Sequence, residues 1–206
     1  MTIKVTDILK MMNKINAQTI STVFNPVFNS LITFLLLTLT NEHLDLAHRI
    51  EFLGITTLFA SGLIILCVFV FIRLGLINSP DIPDRKQRSF PLFVAAIALF
   101  TGFLSLSVTH APNLIQGLMW CYATETLIVA IISYWWKISI HTASMACSLI
   151  ALTEQLGAIV FPFYLLLVLV GEARIVLRRH TLAQVIAGAL LGIVLTAIQL
   201  RFFKLT

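Results

Sequence analysis

His180 lies six residues after Arg174 and four before Gln184, and His141 follows closely on Lys137 and Ser139. Histidines placed beside cationic side chains have little packing value but direct value for binding and cleaving a phosphate ester. An imidazole can attack phosphorus or move a proton, while guanidinium groups hold the non-bridging oxygens as charge builds. A further cluster, Asp84, Arg85, Lys86 and Arg88 ahead of Pro91, has the same cationic character, and Glu172, Arg178 and Arg179 surround the Arg174–His180 pair. The plain alternative is that these basic residues only anchor helix ends to lipid headgroups.

Composition defines the elements that must position these residues. Of 206 residues, 59% are apolar and 11% charged, and the mean hydropathy is +0.98, which excludes an ordinary soluble domain. In hydrocarbon each segment must satisfy its own backbone polar groups, so long apolar runs mean helices. The expected fold is all-α: one polytopic transmembrane helical bundle over residues 1–206, with six to seven spans. Five runs are long enough to cross a bilayer, at 20–40, 52–71, 92–109, 115–134 and 182–200. Between His141 and Arg174 the apolar run is interrupted at Glu154 and Gln155, which predicts two shorter spans joined as a hairpin. With that hairpin, two spans separate each cationic cluster from the next, and all three emerge at one membrane face.

Residues 1–17, with Lys4, Lys10 and Lys14 among apolar side chains, form a basic amphipathic segment suited to the membrane surface, with no sign of a cleaved signal peptide. Cys67, Cys121 and Cys147 fall inside apolar spans, so neither a disulfide framework nor a metal site is expected. The net charge of +5 sits in short loops, which points to membrane lipids or phosphate rather than to nucleic acid. Glu125, inside a span, is expected to face the bundle interior, either as a buried glutamate bonded to Thr124 or Tyr122 or as a substrate contact, and is left out of the site. Asn25, Pro26 and Asn29 either kink the first span or shape a lateral lipid entrance. His43, His48 and His110 fall on the opposite face and read as interfacial.

The string Ala-Arg-Ile-Val-Leu-Arg-Arg-His-Thr-Leu-Ala-Gln, residues 173–184, resembles the third signature of the type 2 phosphatidic-acid phosphatase superfamily, S-R-x5-H-x3-D. Ile138-Ser139-Ile140-His141 echoes its second signature, P-S-G-H, and is followed by Thr-Ala-Ser. The usual first signature, K-x6-R-P, is absent. In its place Asp84-Arg85-Lys86-Gln87-Arg88-Ser89-Phe90-Pro91 resembles a D-R-x2-R-x2-P variant of some bacterial membrane members. The resemblance covers residues 84–192. It implies His180 as nucleophile, His141 as general acid and then base, and Gln184 as the ring-orienting partner, in place of an aspartate. It further implies Arg174, Arg88, Arg85, Ser139 and Lys137 as phosphate ligands, with neither metal nor cofactor. A glutamine carbonyl can orient the histidine but brings no charge to stabilise an imidazolium. In a helical segment Arg85 and Arg88 would share a face and grip one phosphate, with Lys86 pointing elsewhere. His180, Gln184, Gly188 and Gly192 form one stripe whose glycines let a neighbouring helix approach closely.

The implied activity is a membrane phosphatase acting on a lipid phosphate or diphosphate, isoprenyl or glycerolipid, through a phosphohistidine. The second reading is a non-catalytic lipid-phosphate binding or transport protein on the same scaffold. A third, an intramembrane prenyltransferase, is suggested by Asp81 and Asp84 but lacks the second aspartate-rich motif such chemistry needs. The expected location is the bacterial inner or cell membrane. The motif-bearing face and N-terminus together hold most of the fourteen Lys and Arg residues, which leans toward the cytoplasmic side.

Overall fold

The computed structural model describes residues 13–79, 81, 82 and 87–205. All regular structure among them is helical: α1 (Lys14–Val23), α2 (Pro26–Leu39), α3 (Leu46–Thr57), α4 (Leu63–Arg73), α5 (Ser89–Val108), α6 (Asn113–Ile132), α7 (Ile140–Leu156), α8 (Tyr164–Val176) and α9 (Leu182–Leu205). A π-helical turn, Leu58–Gly62, joins α3 to α4, and a 3-10 segment, Gly157–Phe163, joins α7 to α8.

Five stretches are long and apolar enough to cross a membrane, or six if the bent α1–α2 pair is one span. The protein is therefore an integral membrane helical bundle. The first span, expected over 20–40, is kinked, one of the two readings of Asn25, Pro26 and Asn29. It breaks where Pro26 cannot continue α1, and the two helices meet at 51°. Asn25 makes the break a clean one: its carboxamide accepts from the Val27 and Phe28 amides, capping α2, and donates to the Thr22 carbonyl.

The stretch from Ile140 to Val176 is one apolar run of 37 residues, about 55 Å if it were straight. It is not straight, because Arg174 Nη1 lies 3.4 Å from His141 Nε2. The chain reverses at Gly157, whose φ of +69° and ψ of −145° suit only glycine, and the 3-10 segment leads into α8. The hairpin read from the interruption at Glu154 and Gln155 is thus present as a fold. Gln155 finds its partners in the Leu37 carbonyl and the Thr40 hydroxyl, and Glu154 pairs with Lys204.

Helix α6 is central: 61% of its most apolar window is buried, against 17% for the span made by α3 and α4. The core around it is built from Phe34, Leu37, Leu99, Leu106, Ile115, Leu118, Met119 and Leu200. Helices α7 and α9 cross beneath the site at glycine. A Cβ on Gly188 would lie 2.3 Å from the Ser139 carbonyl oxygen, and one on Gly192 would lie 2.3 Å from that of Ala143. Close backbone approach is the expected gain from small residues in lipid, where apolar contact alone gives helices no preference for each other. Asn29 ties α2 to the same helix, donating to the Ser144 carbonyl and to the hydroxyls of Ser144 and Ser148. It is an interhelical hydrogen-bonding residue.

Glu125 does face the interior, 2% exposed, but without the expected partners. The Thr124 hydroxyl donates to the Trp120 and Cys121 carbonyls and to Gln199, and the Tyr122 hydroxyl bonds Ser148.

Candidate functional site

The turn between α8 and α9 shapes the site. Arg178 adopts φ +55°, and the Arg179 and His180 amides both donate back to the Arg174 carbonyl, at 2.9 and 3.2 Å. This closes the end of α8 and folds His180 back over the arginine six residues before it. Thr181 and Gln184 then cap α9 reciprocally: the Thr181 hydroxyl accepts from the Gln184 amide, and Gln184 Oε1 accepts from the Thr181 amide at 3.1 Å. Threonine and glutamine three apart are the sequence form of a capping box. The same Oε1 lies 3.2 Å from His180 Nδ1. A backbone amide can only donate, so the oxygen is free to accept from the ring as well. That assigns the proton to Nδ1 and leaves the Nε2 lone pair unprotonated.

Helix α7 delivers the second half. Ser139 caps it, accepting weakly from the Thr142 amide at 3.5 Å, and the Ser139 amide donates to the Gln184 carbonyl at 3.2 Å. The Thr142 hydroxyl crosses to the Val185 carbonyl at 3.0 Å. His141 and His180 are thereby held on adjacent helices at one end of the bundle. Both are nearly covered, at 8% and 7% exposure.

Cations converge on them. Arg174, 3% exposed, lies against His141, and Arg88, 5% exposed, donates from Nη1 to the Ile138 carbonyl at 2.9 Å, just ahead of Ser139. Lys137 and Arg179 lie farther out. Burial, reinforced by Arg88 and Arg174, lowers the Lys137 ammonium below its usual range. Burial likewise lowers Arg88, with help from Arg174 and against Asp81, to about 10, so its guanidinium stays charged at neutral pH. His180 is pushed down to about 3, first by burial and then by the charges of Arg88, Arg174 and Lys137, while a hydrogen bond at the Lys137 backbone works the other way. A neutral imidazole ringed by cations has the chemistry to attack an anionic phosphorus centre.

The structure thus gathers His180, Gln184, His141, Ser139, Lys137, Arg88 and Arg174. Arg85 and Lys86 lie outside the described residues, so their shared or opposed faces do too. Lys4 and Lys10 of the amphipathic N-terminal segment also lie outside them, and its described end begins α1. Glu172, expected beside a motif arginine, has no ion pair among the described residues and one buried carboxylate oxygen without a hydrogen bond.

The carboxylate that does meet Arg174 is Asp81, on the loop after α4. Its Oδ1 accepts from Arg174 Nη2 at 2.7 Å, and its Oδ2 from Arg179 Nε at 3.1 Å. Asp81, which had hinted at a prenyltransferase, is here an arginine-paired carboxylate. Ser21, on α1, completes the Arg174 shell by accepting from Nη1 at 2.7 Å. Sequence reasoning passed over both as site residues. No spacing links either one to Arg174, from which they stand 153 and 93 residues away.

One consequence concerns Gln184. With His180 as nucleophile, the acid limb of kcat/KM in the free protein would follow its titration, which burial depresses to about 3. Gln184→Asp puts a negative charge beside Nδ1, which stabilises the imidazolium and raises its pKa, so the limb moves upward. Phosphate release measured across about pH 4 to 8 checks this. An unshifted limb would mean that Gln184 does not control the ring.

Comparison with known proteins agrees with this placement. The sequence model of the PAP2 superfamily matches residues 133–205, about a third of the chain. No curated protein and no solved structure matches. The matched segment carries Lys137, Ser139, His141, Arg174, His180 and Gln184, whereas Ser21, Asp81 and Arg88 reach the site from outside it. Residues 133–205 of this membrane protein are thus similar to the type 2 phosphatidic-acid phosphatase (PAP2) superfamily, whose members are phosphatases.

Proposed function

We propose that the protein hydrolyses a lipid phosphate or diphosphate, of isoprenyl or glycerolipid type, through a phosphohistidine on His180. The observation that carries this reading is the neutral, Gln184-oriented His180 facing a cluster of charged arginines at the end of a membrane bundle. Tyr134, Trp135 and Trp136, just before Lys137, are side chains suited to the headgroup level, and the first two are largely exposed. A site at that depth suits a substrate whose phosphate is polar and whose tails remain in the bilayer. Counting the two arms of the 140–176 hairpin separately and the bent α1–α2 pair as one gives the seven-span form of the bundle, with all motif residues at one face.

In the proposed reaction His180 Nε2 attacks phosphorus while the ester P–O bond breaks. The departing oxygen takes a proton from His141, and the product leaves as the alcohol or, from a diphosphate, as the monophosphate. Water then attacks the phosphohistidine, giving its proton to His141. The P–N bond breaks and inorganic phosphate leaves. Arg174 and Arg88 hold the non-bridging oxygens, with Lys137 farther out, and Arg85 and the Ser139 hydroxyl are proposed to add to this grip. In the substrate-free arrangement His141 Nε2 faces Arg174 Nη1 at 3.4 Å, and an arginine only donates. Substrate must therefore draw that guanidinium onto its phosphate before His141 can act as an acid.

The purified protein in mixed micelles is offered phosphatidic acid, phosphatidylglycerol phosphate and isoprenyl mono- and diphosphates. Inorganic phosphate released from at least one class is the expected result. Silence across the panel from folded protein favours the second reading, a lipid-phosphate binding or transport protein. Its support is Gln184, which supplies no charge to the imidazolium.

A further inference from the structure

Resting on the phosphate-site reading above, the inference concerns how such a site ignores the phosphodiesters that make up the surrounding lipid. A phosphodiester offers one negative charge and two non-bridging oxygens. Asp81 offers the same, already in place: one carboxylate with one oxygen on Arg174 Nη2 at 2.7 Å and the other on Arg179 Nε at 3.1 Å. We propose that Asp81 is a specificity residue, whose carboxylate keeps Arg174 and Arg179 from phosphodiesters and yields them only to the dianionic phosphate of a monoester or terminal diphosphate.

Three features of the structure support a carboxylate that can be displaced, but only by a stronger anion. Arg174 is 3% exposed, and its Nε–H has no hydrogen-bond partner among the described residues, although Nη1 is engaged by Ser21 and Nη2 by Asp81. A terminal phosphate brings a third peripheral oxygen and a second charge, and the unpaired Nε–H is a donor that a two-oxygen anion leaves unused. Asp81 is 30% exposed, so its carboxylate can turn to water once released. The next residue, Ile82, is held at φ +33°, a conformation costly for a β-branched side chain, so the loop that presents Asp81 is kept in place against a backbone cost. A tethered carboxylate also competes at a high effective concentration, which a singly charged diester of equal geometry does not overcome.

The test uses full-length protein in neutral detergent at about pH 8, where inorganic phosphate is mostly dianionic. Binding of inorganic phosphate and of a short-chain phosphatidylglycerol is titrated calorimetrically in wild type, Asp81→Asn and Asp81→Glu, with phosphate release recorded in parallel. Wild type is expected to bind phosphate and to discriminate strongly against the diester. In Asp81→Asn, loss of one charge a few ångströms away reduces that discrimination by about tenfold or more, while Asp81→Glu retains it. An unchanged preference in Asp81→Asn overturns the proposal, as does wild-type protein that binds the diester as tightly as phosphate or binds neither. The wild-type result alone suffices to refute it if the variants fail to fold. Lost discrimination in Asp81→Asn with no release from any protein would keep the specificity role and remove hydrolysis. Intact release with unchanged discrimination would do the reverse.

Discussion

Phosphate release by the purified protein falls by about 10⁴-fold or more in His180→Ala, while inorganic phosphate still binds. The split follows from the placement of the groups. Arg174 and Arg88 are held by contacts to Ser21, Asp81 and Ile138, none of which involves the His180 side chain. The anion site therefore survives the loss of the imidazole, whereas the only nitrogen lone pair proposed to attack phosphorus does not. Removal of a group that forms a bond in the transition state lowers kcat rather than affinity. His180→Asn serves as a second variant, polar and closer in size, so that a packing defect at a 7% exposed position is not mistaken for lost chemistry. Unimpaired release from either variant would remove His180 as nucleophile. Lost binding as well as lost release would make its role structural.

Gly188→Val is expected to damage the protein nearly as badly without touching a reacting atom. The added Cβ would sit 2.3 Å from the Ser139 carbonyl oxygen and 2.5 Å from the Thr142 hydroxyl. The first of these is backbone and cannot rotate away, so α9 must move off α7. His180 and Gln184 ride on the start of one helix and His141 on the start of the other, so the two histidines separate. Overpacking of this kind costs about 3 kcal/mol. Thermal unfolding in detergent should register the loss, and phosphate release should disappear even in the fraction that stays folded. Gly54 is the control, because nothing lies within 4 Å of its Cβ position. Gly54→Ala is expected to retain activity and gain up to about 1 kcal/mol from helix propensity. Equal tolerance at the two glycines would mean that the close crossing of α7 and α9 is not required.

What was legible in the sequence is what is local or periodic. Hydrophobic runs of bilayer length identified the membrane bundle, and Glu154 with Gln155 marked where the 140–176 run turns back. The spacing of Arg174, His180 and Gln184 encodes a helix end, a turn and a capped helix start, all within eleven residues of chain. Glycines four apart on α9 announced a close helix crossing. Pro26 marked the kink in a run apolar enough to pass for one helix, because its missing N–H and its ring break α1, and Asn25 caps the second piece. The exception to local reading is equally specific. Glu125 is buried as its span required, but its neighbours spend their hydroxyls on backbone carbonyls and on Gln199 and Ser148.

The sequence by itself determined the solvent, the helices and the motif residues that gather at one end of the bundle, because hydrophobic period, capping and motif spacing act within a few turns of chain. Tertiary structure alone decided which carboxylate meets Arg174. Glu172 is two residues from it and makes no ion pair among the described residues, since side chains two apart on a helix point to different faces. Asp81 and Ser21, from a loop and a helix outside the matched segment, complete the arginine shell instead. A buried guanidinium takes whatever oxygen the fold brings within about 3 Å, and distance along the chain has no bearing on that.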